Sequence, residues 1–506
     1  MEDDGGRRRP WLALFLLGLA LHAYAAYNSD LGLDAHVRLN VINDNSADGA
    51  DAPWGSPRIS GDASQPGASA FDGYIPPWNT SEFLMKTTAV LALVVVALLV
   101  SINSSQSTTY RLDLTWGALL LLSPVLMFST SRGYDEASLA LLMGLGVAGF
   151  GRKVSDERAQ LRMHSVLMAT SLLFVLGWKG FNILTCFSVW FAALALAEGW
   201  MAMIHRQSSP SSSWLVHPWK MGAFASACLF FGVFIVGLFS SSGTFSAIGE
   251  RPVHFLVATV FALIDTVVLY LLLGCLLWPM VIRRWRSLSE VRGPVHTMLV
   301  VYIFTVLTGV VLYIAALWTF ESSLWGVGLP ETMIVLGNNG RYATLVLIPL
   351  VVLLKSVEPA KPTEPMRWVA PLTAVAMVLP FLVFTTFVGH QVWSEDVGER
   401  LAEVWQEEDR TFLLVAPESL AMHHLYAMKT HVDLDGSKGV VGHWVAPESA
   451  SDRLDAELEV DYLIVGPNAE FSVSDEDWVL VDSSQVPVNI PGGIQSGMWS
   501  LYRAAA

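Results

Sequence analysis

The segment 29–40, SDLGLDAHVRLN, places Asp30, Asp34, His36 and Arg38 directly after the first long apolar run of the chain. Ionisable groups clustered where a hydrophobic segment ends mark function more often than stability. Three other turns carry the same residue types: Arg132, Tyr134, Asp135 and Glu136 in one, Trp178 and Lys179 in another, Asn338, Asn339, Arg341 and Tyr342 in the third. A carboxylate can take a proton from a hydroxyl. Fixed cations can stabilise negative charge as it grows on a leaving group. If the four segments meet, acid, base and cation together suit the movement of a group off a phosphate.

The elements that must bring them together are apolar helices. Of the 506 residues, 53% are hydrophobic, 19 are Trp and only 15% are charged, with a mean hydropathy of +0.48. That excludes an ordinary soluble protein and describes a polytopic membrane protein. The net charge of −15 argues against nucleic acid as a partner. Cys186, Cys228 and Cys275 lie in apolar runs and form neither a disulfide framework nor a metal-binding pattern. Apolar segments at 11–27, 83–102, 115–130, 136–150, 164–178, 182–203, 221–240, 253–282, 295–319, 340–355 and 368–389 predict about eleven transmembrane helices. The first is read as an uncleaved anchor, although Ala23-Tyr24-Ala25 resembles a cleavage site.

Basic residues set the sidedness. Arg7–Arg9, Arg111, Arg152, Lys153, Arg158, Arg162, Arg206, Lys220, Arg283, Arg284, Arg286, Arg292, Lys355, Lys361 and Arg367 fall in alternate loops, and those loops are predicted cytoplasmic. The four chemistry-bearing segments then share the extracytoplasmic face. So do the long first loop 28–81 and the C-terminus. Within that loop Asn79-Thr80-Ser81 matches a glycosylation sequon. The chain divides into a transmembrane domain, 1–390, and a soluble extracytoplasmic α/β domain, 391–506. The latter reads as strands at 411–416, 439–445, 461–466, 478–481 and 498–502, with helices at 417–429 and 449–458. It carries no GxGxxG, P-loop or GxSxG, and its histidines, 423, 424, 431 and 443, read as a solvated face.

These residues carry a resemblance. A carboxylate soon after the first span, here Asp34, resembles the first-loop motif of the GT-C glycosyltransferases. That superfamily includes protein O-mannosyltransferases, aminoarabinose transferases and oligosaccharyltransferase catalytic subunits. Ser123-Pro124 leading into Tyr134-Asp135-Glu136 is similar to its Pro and second acidic motif. Trp178-Lys179-Gly180-Phe181 resembles the Lys-Gly turn of the aminoarabinose-transferase branch, and Arg341-Tyr342 with Pro349 resembles the entry to a late span. The chain departs in having Asp34-Ala35-His36 where members often have Asp-Glu, and it has no WWD-type motif in its tail.

The resemblance implies a mainly α, GT-C-like membrane protein. It would move a sugar from a polyprenyl-phosphate donor to a protein, lipid or glycan hydroxyl, with inversion. Asp34 would be the base. Arg341, Lys179, Tyr342 and Arg132 would hold the donor phosphate, and His36, Asp135 and Glu136 would form an acceptor or metal site. No motif demands a cofactor. A divalent ion, Mg or Mn, held by Asp34, His36, Asp135 and Glu136 is the open alternative. Each residue also has a plain rival role: Asp34 as a helix cap, Asp135 and Glu136 as acids at a helix start, Arg341 and Lys179 as side chains reaching for headgroups. The competing function is a transporter or flippase for lipid-linked sugars. It would favour ionisable groups at mid-membrane, where only Asp265 stands.

Overall fold

The structure, a computed structural model, describes residues 4–43, 78–103, 111–150, 156–179, 181–206, 214–240, 244–324, 326–336, 339–357, 393–417, 420–455, 460–467, 469–490 and 493–505. The helical part comprises α1 (Asp4–Asn28), α2 (Leu33–Ile42), α3 (Glu82–Ser101), α4 (Leu114–Leu121), α5 (Pro124–Ser131), α6 (Glu136–Val147), α7 (Glu157–Trp178) and α8 (Ile183–His205). It continues through α9 (Pro218–Leu238), α10 (Ala247–Glu250), α11 (Pro252–Leu273), α12 (Trp278–Glu290), α13 (Pro294–Leu324), α14 (Leu329–Val335) and α15 (Ala343–Ser356). A short clip, β1 (Ile102–Asn103) on β2 (Arg111–Leu112), joins α3 to α4.

Among the described residues, seven helices are long and apolar enough to cross a membrane, and α4 with α5 makes an eighth candidate. The chain is a mainly helical, multi-pass membrane protein. The described residues alone do not reach the count of eleven spans, for local reasons. Segment 136–150 yields only the 12 residues of α6, and 340–355 yields a 3-10 turn (Asn339–Tyr342) followed by the 14 residues of α15. Segment 368–389 and most of the first loop, 44–77, lie outside the described residues. Segment 115–130 is bent by 58° between α4 and α5. Pro124 is responsible, since it lacks an N–H and clashes with the preceding turn; it serves as the first residue of α5 instead. Buried His22 on α1 answers this break, hydrogen-bonding the Leu121 carbonyl through Nε2 at 2.8 Å and Thr130 Oγ1 through Nδ1 at 2.7 Å.

The C-terminal part comprises α16 (Trp393–Val404), β3 (Thr411–Val415), α17 (Ala421–Asp433), β4 (Val441–Val445), α18 (Ala450–Asp455), β5 (Tyr462–Val465), β6 (Trp478–Ile490) and β7 (Gly493–Ala504). Its sheet runs in the order β4-β3-β5-β7-β6, with the first three strands parallel and the last two an antiparallel hairpin. The parallel strands are buried along their length, which is why they read as short apolar runs. The hairpin strands are far longer than the segments 478–481 and 498–502, because exposed Ser483, Ser484 and Gln485 interrupt the apolar signal along β6. Helix α16 went unassigned in the sequence.

Helix α2 packs on both parts. Its Val37 lies in the core that also holds Val397 and Leu401 of α16, Phe412 of β3 and Leu425 of α17. Its other side, Ala35 and Leu39, packs with Leu31 and with Met85 of α3. The helix that carries Asp34 is therefore clamped between the C-terminal sheet layer and the membrane helices. Asn79 of the sequon is buried, with 7% of its surface exposed, and is not presented to a glycosylating enzyme in this fold.

Candidate active site

Asp34 stands in the first turn of α2 and Arg38 one turn later, on the same face. The loop before them is fixed by backbone contacts to the turn after α5. Gly32 N–H donates to the Arg132 carbonyl at 2.9 Å, and Arg132 Nη1 donates to the Asp30 carbonyl at 3.2 Å. Gly133 reverses the chain with φ +65°, a conformation that costs glycine little. The reversal lays the Tyr134 ring against Gly32 so closely that a Cβ there would sit 2.3 Å from a ring carbon. The ring then serves as a platform: the Arg341 guanidinium lies 4.5 Å from its centroid and 5.1 Å from that of Tyr342.

From this platform runs a row of side chains alternating in sign. Arg341 Nη1 meets Asp34 Oδ2 at 2.6 Å, and Arg341 Nε lies 3.8 Å from Glu136 Oε1. Lys179 Nζ reaches the same Glu136 oxygen at 3.1 Å and Asp135 Oδ2 at 3.8 Å, and Arg38 Nη2 closes the row on Asp135 at 2.6 Å. Lys179 also lies over the Tyr342 ring, 5.3 Å from its centroid. Three acids thus balance three cations. In the interior a balanced array is tolerable, whereas an unpaired charge is not.

Access distinguishes the members. The side chains of Glu136, Arg341 and Arg38 are 1%, 9% and 9% exposed, while that of Asp34 is 32% exposed. The carboxylate at the end of the row is the one a substrate can reach. Burial favours the neutral acid at Asp34, but the Arg341 charge and the hydrogen bonds from His423 and Arg341 outweigh it and hold the carboxyl well below the usual range. It is ionised at neutral pH.

The row contains Asp34, Asp135, Glu136, Lys179 and Arg341 from the expected set, with Tyr342 beneath the two cations. His36 and Arg132 are elsewhere. Two positions after Asp34 on a helix, His36 points to the opposite side; it hydrogen-bonds Thr430 Oγ1 of α17 at 3.1 Å and pairs with Glu395 of α16. Arg132 is buried, 1% exposed, behind the Asp30 loop it supports. Asp135 stands at the start of α6 but makes no capping bond, turning to Arg38 instead. A metal does not fit this donor set. Every carboxylate of the row already faces Arg or Lys, His36 is turned away, and among the described residues no group of three or more His, Cys, Asp and Glu is placed to hold an ion.

One member was missed from the sequence. His423, on α17, is 3% exposed and its Nε2 lies 3.4 Å from Asp34 Oδ1, on the oxygen that Arg341 does not hold. The signal was helical spacing. His423, Tyr426 and Thr430 recur at i, i+3 and i+7, and the last two meet Asn40 of α2: Asn40 Nδ2 donates to the Tyr426 carbonyl at 3.2 Å and to Thr430 Oγ1 at 2.9 Å. What read as a solvated face is the surface that covers α2.

No family model matches this chain. No curated protein matches it either. Among solved structures, ArnT from Cupriavidus metallidurans bound to undecaprenyl phosphate aligns with 97% of this chain and 98% of its own, at 11% identity and a TM-score of 0.38. The apo form of the same protein aligns over 97% of both chains at 12% identity and a TM-score of 0.33.

Proposed function

We propose that this chain is a membrane glycosyltransferase of the GT-C type that takes its sugar from a polyprenyl-phosphate donor. The acceptor is a hydroxyl on the extracytoplasmic face of a cell membrane. The observation that carries the reading is the pairing of the accessible Asp34 carboxylate with the Arg341 guanidinium at the open end of a charge-balanced row. A pair of this kind holds a base and a phosphate-binding cation ready in one place.

An approaching phosphodiester competes with Asp34 for Arg341. Its two oxygens match the guanidinium fork, as a carboxylate does. Once Arg341 turns, Asp34 is released to accept the acceptor proton. The sugar C1–O bond to phosphate breaks, its electron pair leaves on the phosphate oxygen, and the acceptor oxygen bonds C1 from the opposite side, inverting the anomer. Arg341, with Lys179 behind it, stabilises the charge growing on the departing phosphate more than the ground state. Tyr134 and Tyr342, whose ring centroids lie 4.5 and 5.1 Å from the guanidinium, limit how far it swings. The reading assigns no step to a metal, and chelation should leave transfer unchanged.

The basic residues in alternate loops support the orientation, with the N-terminus cytoplasmic and the Asp34 side outside. The testing experiment is purification in native lipid followed by mass spectrometry. A copurifying polyprenyl-phosphate sugar, lost in Arg341→Ala, is the expected result. Retention of the same lipid by Arg341→Ala would count against the assignment.

A further inference from the structure

Helix α12 takes no part in the proposed reaction, yet its surface is unlike that of a plain connector between α11 and α13. Met280, Arg284 and Leu288 recur at i, i+4 and i+8 and form its inner face. Met280 and Leu288 lie in the core of the membrane helices. Arg284 Nε donates to the Val357 carbonyl at 2.8 Å, and its guanidinium lies 5.3 Å from the centroid of the Trp116 ring. The Leu288 carbonyl accepts from Trp219 Nε1 at 2.9 Å. Val357 directly follows α15, Trp116 is in the first turn of α4, and Trp219 is in the first turn of α9. These contacts hold α12 against the ends of other apolar helices, and so at a membrane boundary. The same ends carry Arg111, Lys220 and Lys355, which mark the side predicted cytoplasmic.

Away from the protein, α12 has two further faces. Trp278, Ile282 and Trp285, spaced i, i+4 and i+7, are 40%, 68% and 70% exposed. Beside that stripe Arg283 and Arg286 are exposed, and among the described residues neither pairs with a carboxylate. In water, three large apolar side chains would stand uncovered. In hydrocarbon, two guanidinium groups would lack counter-ions. The boundary satisfies both needs: acyl chains cover the stripe, the tryptophan rings sit at headgroup level and the arginines reach the phosphates.

We infer that α12 is a binding site for an anionic phospholipid of the leaflet on the predicted cytoplasmic side. Arg283 and Arg286 hold its headgroup phosphate, and its acyl chains cover Trp278, Ile282 and Trp285. Charge selects the class of lipid. A zwitterionic headgroup brings its own cation to the two arginines, whereas an anionic one brings net negative charge. The guanidinium fork also matches two phosphate oxygens. The inference stands apart from the transferase reading and survives its failure. Arginines that served only to set sidedness during insertion would leave the finished protein without a preference among lipids.

The test is native mass spectrometry of the purified full chain with added phosphatidylglycerol or phosphatidylcholine of the same acyl chains. Wild type should hold phosphatidylglycerol more tightly, by about 5-fold for each arginine in contact. Arg283→Gln with Arg286→Gln should weaken phosphatidylglycerol by about 25-fold and leave phosphatidylcholine unchanged. Should that pair fail to insert, Arg286→Gln alone gives the same reading at about 5-fold. Arg283→Lys with Arg286→Lys keeps the charges without the fork and should retain most of the preference. Arg158→Gln with Arg206→Gln removes two exposed charges from α7 and the end of α8, and should change neither lipid. No preference in wild type overturns the inference. So does a preference that survives the loss of both α12 arginines, or one that falls equally when Arg158 and Arg206 are replaced.

Discussion

Asp34 is a base in waiting because two partners hold its two oxygens, Arg341 at 2.6 Å and His423 at 3.4 Å. Replacing it by Asn keeps the shape and the hydrogen-bond acceptor but removes the proton acceptor. Transfer should fall by about 10²–10⁴, the usual scale for a lost general base, in a protein that still inserts and folds. Glu136 is a different case. It is 1% exposed and lies between Lys179 and Arg341, so its removal takes from Lys179 its nearest carboxylate and leaves the buried row with one cation in excess. Glu136→Ala should destabilise the protein by about 3–5 kcal/mol, the scale for breaking a buried ion pair, read as a lowered thermal midpoint in lipid. An unchanged midpoint would mean that water reaches the row and screens it. The types and positions of these residues were legible in the sequence, since acids and cations beside apolar runs are conspicuous. Which of them touch was not. Asp34 and His36 lie two positions apart, and only a helix at 33–42 separates them onto opposite faces.

At the scale of elements, the bend at α4–α5 and the short α6 bring the 132–136 turn to the foot of α2. His22 secures that bend by bonding the Leu121 carbonyl. His22→Ala should cost about 1–3 kcal/mol through an orphaned buried carbonyl, again visible as a lowered midpoint, whereas His22→Asn, which can still donate, should recover part of it. The apolar runs announced the helices, and Ser123-Pro124 announced an interruption. Span lengths were less legible. Hydropathy cannot separate a run that crosses from one that stops after 12 residues and turns, as α6 does. Likewise α17 looked like a solvated helix because its histidines are polar. Polarity along one stripe of a helix does not reveal whether water or another polar helix covers it.

At the scale of the molecule, α2 joins the C-terminal sheet layer to the membrane helices, and the Glu395 carboxyl between His36 and His431 is its clasp. Burial would raise Glu395, but the hydrogen bonds and charges of the two imidazoles outweigh it and hold it at about 2. His431 is lowered by burial, yet the hydrogen bond and charge of Glu395 prevail and raise it. The signs follow by linkage. The Glu395 contribution is full above its unfolded value of about 4.3 and is lost as pH falls through about 2. The His431 contribution is full below about 6.5 and is lost as pH rises through its raised value. The clasp should therefore hold best between about pH 4.5 and 6.5. Protease cleavage between α16 and β3 should be faster at pH 9 than at pH 6, and His431→Asn should abolish the difference. The sequence split the chain at residue 390 on composition alone. Nothing in that split announced that Val37 would pack with Phe412 and Leu425, because a long-range contact leaves no local pattern.

The account depends on Asp34 removing a proton while donor binding relies on Arg341. The most direct measurement is single-turnover release of polyprenyl phosphate from a bound polyprenyl-phosphate sugar by purified wild type and Asp34→Asn. The expected result is that Asp34→Asn binds the donor at least as tightly as wild type does and releases polyprenyl phosphate about 10²–10⁴ times more slowly. Release at the wild-type rate by Asp34→Asn would contradict the account.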